Sequence, residues 1–218
     1  MGYGEEAYSG WQGELEGRGF VSPEELKSHP FTKIITRKET RTRKGVQVKE
    51  VEQVQWVSAR HDGNWTNYHE AFDYAKKLLE EWMEEHHDKD CYPPTIIHVT
   101  DGEFNHAPKD VVMQKANELK AMFTNDGNVI LFNIHFTADR TLATVACPIS
   151  KDELNGNVYA ETLYEMSSLL PERYNSDIAR CLNDNRPGRH VAMGVNADAT
   201  TLITLMDIGT PTNISKNQ

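Results

Sequence analysis

The stretch that decides the fold is TIIHVTDGEFN, residues 95–105, in which an apolar run ends abruptly on an acidic Asp-Gly-Glu triplet. The run is rich in β-branched side chains and bounded by a turn signal, which is typical of a buried strand. A second apolar run, NVILFNIHF at 128–136, has the same character. Near-continuous apolar strands of this kind indicate a parallel sheet that is covered on both faces.

Helical periodicity surrounds these two strands. Apolar residues recur at helical spacing across 68–83, before Pro93 and Pro94 end the segment, and again across 108–123. A third helical pattern covers 159–170, and a polar stretch, a short strand at 190–195 and a helix closed by Gly209 follow it. Because strands and helices alternate, the sequence predicts an α/β fold with a doubly wound, mostly parallel sheet and helices on both faces.

The first 60 residues show a weaker pattern. Residues 1–20 are rich in glycine and aromatic side chains without a period, which indicates loop and turn, and SPEEL at 22–26 predicts a short capped helix. Valines between 46 and 57 indicate extended chain, with the basic stretch KETRTRK, residues 38–44, as a hairpin turn before them. We therefore expect a single domain over 1–218, with an irregular part and hairpin at 1–60 and the alternating core at 61–210.

Composition excludes several classes of partner. The chain carries 33 acidic residues against 23 Lys and Arg, a net charge of −10 that repels nucleic-acid phosphates and anionic membranes. Its three cysteines form no CxxC pair, which argues against a disulfide framework and a zinc ribbon. No apolar stretch approaches the ~20 residues that span a bilayer. We expect a cytoplasmic protein that binds neither nucleic acid nor membranes.

Oxygen-bearing side chains stand where the predicted strands and helices meet. Loops that leave the carboxyl ends of parallel strands converge on one edge of the sheet, and there Asp101 and Glu103 would offer oxygens that suit Mg²⁺ or Mn²⁺. Thr66 directly precedes the first long amphipathic helix, where its hydroxyl can cap the helix or coordinate a cation. Asp62 is a further acid in the same loop.

This ordered set of features resembles the von Willebrand factor A (vWA) domain. In that family the metal-ion-dependent adhesion site (MIDAS) is built from a D-x-S-x-S loop, a Thr loop and an Asp loop written T-D-G. Thr66 in GNWT matches the second loop, and Asp101 in HVTDGE matches the third. The resemblance implies that Thr66 and Asp101 are metal contacts for Mg²⁺ or Mn²⁺. The stretches LYEMSSLLPE and VNADATTLITLMDIGT are similar to the end of a bacterial cytosolic branch of the family.

The chain departs from the family in one respect, because no D-x-S-x-S occurs in it. On the family mapping it begins after the first strand, the first helix and most of the second strand. The resemblance thus implies an N-terminally truncated vWA-like domain with an incomplete site.

The function that the resemblance implies is protein–protein interaction or complex assembly, without catalysis. In the family the bound ion accepts an acidic side chain of a protein partner. Two alternatives stay open. One is a metal-dependent hydrolase that uses Asp101 and Glu103, and the other is a metal-free, vestigial scaffold.

Overall fold

The computed structural model describes residues 1–42, 45–58, 65–101, 104–136, 141 and 143–210, with the backbone alone for 33–51. Its strands are β1 (Gly2–Tyr3), β2 (Ala7–Tyr8), β3 (Phe31–Thr42), β4 (Gly45–Gln55), β5 (Thr95–Thr100), β6 (Phe123–Thr124), β7 (Gly127–Asn128), β8 (Ile130–Phe136), β9 (Val145–Ala146) and β10 (Met193–Ala197). Its α-helices are α1 (Pro23–Ser28), α2 (Tyr68–Glu85), α3 (Lys109–Ala121), α4 (Val158–Met166), α5 (Asn175–Leu182) and α6 (Ala199–Gly209). Single turns of 3₁₀-helix lie at Gly13–Leu15, Lys151–Leu154 and Glu172–Tyr174.

The main sheet has four strands in the order β5, β8, β10, β9. β5 is parallel to β8, with pairs that run from Thr95 opposite Ile130 to Thr100 opposite His135, and β8 is parallel to β10. The short β9 closes one side in the antiparallel direction, and β5 is the other edge strand of the described sheet. The prediction of an α/β fold with a mostly parallel sheet is thus confirmed.

Helices pack against both faces of this sheet. Leu131 belongs to a buried cluster shared with residues of α2, α3 and α4. Its neighbours in β8, Ile130, Phe132 and Ile134, belong to a second cluster shared with residues of α5 and α6. Because successive side chains of a strand point to opposite faces, the two clusters lie on the two sides of β8. This double burial explains why the strand reads as a continuous apolar run.

Side-chain caps mark the first turn of several helices. At the start of α2 the Asn67 side chain accepts a hydrogen bond from the Glu70 N–H at 3.3 Å. Ser22 and Glu25 form a complete capping box at α1, as the sequence predicted. Because Asn67 is the N-cap, Thr66 lies immediately before the N-terminus of α2.

The structure differs from the sequence-based interpretation in three places. The opening residues, predicted as loop, include the antiparallel pair of β1 and β2. The polar stretch after α4 contains α5, which the sequence hides because Ile178 is its one buried residue. The basic stretch lies largely in β3 of the antiparallel β3–β4 hairpin rather than in its turn, and residues 43–44 lie outside the described chain.

No helix among the described residues is both long and apolar enough to cross a bilayer.

Candidate functional site

The two loops singled out by the sequence lie against each other at the carboxyl end of β5. Asn105 links them, because its side-chain oxygen accepts from the Thr66 N–H at 2.9 Å and its own N–H donates to the Thr66 carbonyl at 3.1 Å. At the first residue of α2, the Tyr68 hydroxyl lies 2.5 Å from Thr100 Oγ1, next to Asp101 in the chain. The structure therefore brings the loops of Thr66 and Asp101 to one edge of the sheet, which we call the carboxyl edge.

The two predicted metal contacts differ in exposure. Asp101 follows directly after β5 and is exposed, and Thr66 is half-buried. Burial raises the pKa of the Tyr3 and Tyr68 hydroxyls, a hydrogen bond from Thr100 opposes that shift, and the negative charge of Asp101 raises both further. Asp101 therefore lies within electrostatic reach of two buried phenols, which stay protonated beside it.

A buried polar network supports the edge from below. His98 lies in β5 directly opposite Asn133 of β8, and its Nδ1 is 2.7 Å from Asn133 Oδ1. An amide oxygen can only accept, so Nδ1 carries the ring hydrogen and Nε2 accepts from the Tyr3 hydroxyl at 2.7 Å. Asn133 Nδ2 donates in turn to Ser167 Oγ at 3.0 Å. The network joins the opening segment, the adjacent strands β5 and β8, and the end of α4.

Burial of His98 lowers its pKa to about 4, although the hydrogen bond to Asn133 opposes the shift. The imidazole is therefore neutral near pH 7, with both nitrogens engaged. His98 is thus a packed, hydrogen-bonded core residue, as is usual for a histidine inside an apolar strand. Sequence reasoning did not find its partners Tyr3 and Asn133.

Exposed apolar side chains border the carboxyl edge. Trp65, next to Thr66, is 47% exposed, and the centre of its ring lies 4.1 Å from the centre of the His106 ring. Val99 and Phe136, near the ends of β5 and β8, are 40% and 39% exposed. We call Trp65, Val99 and Phe136 the apolar rim. Sequence periodicity could not identify it, because the same residue types fill the core.

The described part of this edge supplies fewer oxygen donors than a divalent cation prefers. No group of three or more His, Cys, Asp or Glu side chains that could hold a metal occurs among the described residues. Thr66 and Asp101 supply one hydroxyl and one carboxylate, and Asp62 and Glu103 lie outside the described part of the chain. Mg²⁺ prefers about six oxygens in octahedral geometry, so the described donors provide a partial set.

One further oxygen lies near the edge. Asn196 Oδ1, at the end of β10, is buried and has no hydrogen-bond partner among the described residues. β10 is two strands away from β5, a separation of about 10 Å. Asn196 and Asp101 therefore lie at different positions along the carboxyl edge.

Comparison with known proteins assigns no family. No protein-family model matches the chain, and neither a curated protein nor a solved structure matches it significantly. The described fold is a mixed α/β domain, and the resemblance to vWA domains rests on the residues alone.

Proposed function

We propose that the chain is a vWA-like, doubly wound protein-binding domain whose contact surface is the carboxyl edge around Thr66 and Asp101. The observation that carries the proposal is the direct hydrogen bonding of the two loops through Asn105. These bonds hold Thr66 against Asn105, four residues after Asp101, whose exposed carboxylate follows a parallel strand at the edge where open α/β sheets bind ligands.

The apolar rim supports protein binding in particular. Aromatic side chains beside a polar centre supply much of the affinity of protein interfaces, and Trp is prominent among them. Trp65 is adjacent in sequence to Thr66, and its ring packs against the His106 ring. A partner that covers Trp65 would remove apolar surface from water beside Thr66.

A divalent cation, Mg²⁺ or Mn²⁺, would be held by the Thr66 hydroxyl and the Asp101 carboxylate. Such an ion supplies positive charge at the edge, where an acidic side chain of the partner protein could bind. The protein's own task is to fix the two oxygens, through Asn105 at one loop and the contact of Tyr68 with Thr100 at the other. Because this donor set is partial, we expect weaker cation binding than a complete octahedral site would give.

The buried histidine beneath the edge is unsuited to act as the base of a hydrolase. A metal-dependent hydrolase needs a general base that can take a proton near neutral pH. Within the described part of the edge His98 is buried, its two nitrogens are engaged and its pKa is lowered to about 4.

We propose a cytoplasmic setting, because the net charge is −10 and the three cysteines are unpaired.

Calorimetric titration of Mg²⁺ and Mn²⁺ into the purified chain tests the proposal. We expect saturable binding that Asp101→Ala abolishes and that Thr66→Val weakens, because valine keeps the shape of threonine without its hydroxyl. Asp110→Ala removes an exposed charge from α3 and is the matched control, which should bind the ion normally. Equal binding by Asp101→Ala and the parent chain would refute the metal contacts.

A second candidate is a metal-free binding surface. The absence of a three-ligand group among the described residues favours it. Affinity capture with and without EDTA separates the two candidates, with Trp65→Ala as the test of the surface. Partners that survive EDTA but are lost with Trp65→Ala would assign binding to the apolar rim alone. Partners lost with EDTA would assign it to the ion.

A further inference from the structure

A cleft of about 480 Å³ lies at the opposite end of the sheet from Asp101. It is bordered by Lys120 near the end of α3, the chain at 126–130 that leads into β8, the segment 167–171 after α4, and Arg173 and Arg189. Pockets of roughly 300–1,000 Å³ are the usual size for small-molecule ligands. We call it the amino-edge cleft, because it opens where β8 begins.

Positive charge is concentrated in this cleft. Lys120, Arg173 and Arg189 border it together with a single carboxylate, Asp126, so its formal charge is 3 − 1 = +2. The whole chain has a net charge of −10. A cleft of one sign in a protein of the other sign concentrates small anions from solution.

Lys120 has no carboxylate partner among the described residues, although it is half-buried. Its Nζ donates to the carbonyls of Glu165 and Ser167 at 3.3 and 3.4 Å, which leaves one of its three N–H groups for the cleft. Other lysines on the same side of the sheet, Lys109 and Lys151, are paired with the Glu165 carboxylate. A partly buried ammonium without a counter-ion is costly, and burial lowers the pKa of Lys120 accordingly. An anion in the cleft would offset that cost.

The two arginines provide forked donors. Arg189 is exposed, and no described carboxylate lies within ion-pair distance of it, whereas Arg186 pairs with Glu153 and Asp184. Arg173 is held in place, because it pairs with Asp126 at 3.0 Å and its guanidinium lies 5.5 Å from the ring centre of Tyr92. The planar guanidinium matches the oxygen spacing of phosphate and carboxylate groups.

A neutral donor completes the set. Ser168 Oγ accepts from the Leu131 N–H at 2.9 Å, and no described acceptor takes its own hydrogen. Leu169, 46% exposed, and Pro171 add an apolar wall. Three cations, of which Arg173 is paired with Asp126, a hydroxyl donor and an apolar wall suit a doubly charged oxyanion that is attached to a small organic group.

From this arrangement we infer that the amino-edge cleft binds the phosphate group of a small molecule through Lys120, Arg189 and Arg173. The free ion and a phosphate monoester share this chemistry, and they differ in their use of the apolar wall. The inference does not depend on the carboxyl edge, since the two sites lie at opposite ends of the parallel strands.

Calorimetry of the full chain with inorganic phosphate and with phenyl phosphate tests the inference. We expect saturable binding of phenyl phosphate that weakens about tenfold or more in Arg189→Gln, since a charge-assisted hydrogen bond is lost. Lys120→Met keeps the apolar stem of the side chain and should weaken binding by a similar factor. Tighter binding of phenyl phosphate than of inorganic phosphate would identify a monoester site, and equal affinities would identify a site for the free ion.

The matched control is Arg180→Gln, which removes one exposed positive charge from α5 outside the cleft. It should bind phenyl phosphate like the parent chain. The inference is overturned if neither probe binds saturably, if both cleft variants bind like the parent, or if Arg180→Gln weakens binding as much as Arg189→Gln does. Arg189 is exposed, so its replacement tests binding without endangering the fold.

Discussion

Acid should destabilise this protein through His98 in particular. The structure lowers the pKa of the buried imidazole from about 6.5 to about 4. Between these values the unfolded chain binds a proton at His98 and the folded chain does not, so stability falls as the pH falls. The contribution of the neutral His98 ring to stability is fully present above about pH 6.5 and is lost progressively as the pH falls to about 4.

The magnitude follows from the same pKa values. One pKa unit corresponds to about 1.4 kcal/mol, so the interval from 6.5 to about 4 corresponds to about 3 kcal/mol. A typical domain has a total free energy of unfolding of about 5–15 kcal/mol, so His98 alone controls a large share of the acid sensitivity. Protonation would also remove the acceptor that Nε2 offers to Tyr3.

Urea denaturation at a series of pH values measures this contribution. In His98→Gln, which cannot titrate, we expect the loss of stability between about pH 6.5 and pH 4 to shrink by up to about 3 kcal/mol. His87→Gln, at an exposed histidine, is the control and should retain the full loss. An NMR titration that shows the His98 ring protonating near pH 6.5 in the folded protein would refute the reasoning.

Three further changes test other parts of the fold. Tyr3→Phe leaves His98 Nε2 without its hydrogen-bond donor, so we expect urea denaturation to show a free energy of unfolding about 1–3 kcal/mol lower. Tyr159→Phe, at an exposed position, should lower it by less than about 0.5 kcal/mol. Equal losses of stability in the two variants would contradict the hydrogen bond. Gly194→Ala places a methyl group against a fully buried leucine of α6, so we expect a loss of about 1–3 kcal/mol in the free energy of unfolding and a lower Tm. An unchanged Tm would show that the neighbouring side chains move to make room for the methyl group. Burial raises the pKa of the Cys147 thiol to about 12, so we expect an alkylating reagent to label it only after unfolding, as detected by mass spectrometry. Rapid labelling of Cys147 in the native protein would contradict its burial.

The class of fold could be predicted because apolar periodicity is a local signal. β5 and β8 read as buried strands, and α2 reads as an amphipathic helix. α5 could not be predicted in this way, since it is short and buries one residue. The two-residue β9 also leaves no pattern, because its pairing with β10 depends on a distant strand.

The candidate site was predictable only in outline. Thr66 and Asp101 stand at ends of elements, where sequence alone suggests a role, but Asn105 joins their loops through pairing that leaves no local trace. A signal for the polar network did exist. His98 and Asn133 are polar residues inside two apolar strands, and parallel pairing of those strands sets them opposite each other.

The hydrogen bond between Tyr3 and His98 joins residues that are 95 positions apart. Ribosomes add about 5–20 residues each second, so roughly 5–20 s separate the synthesis of the two partners. Asn133, which fixes the ring hydrogen of His98, is made later still. The opening residues therefore leave the ribosome well before their binding site exists, and during that interval Tyr3 is open to any chaperone that meets the nascent chain.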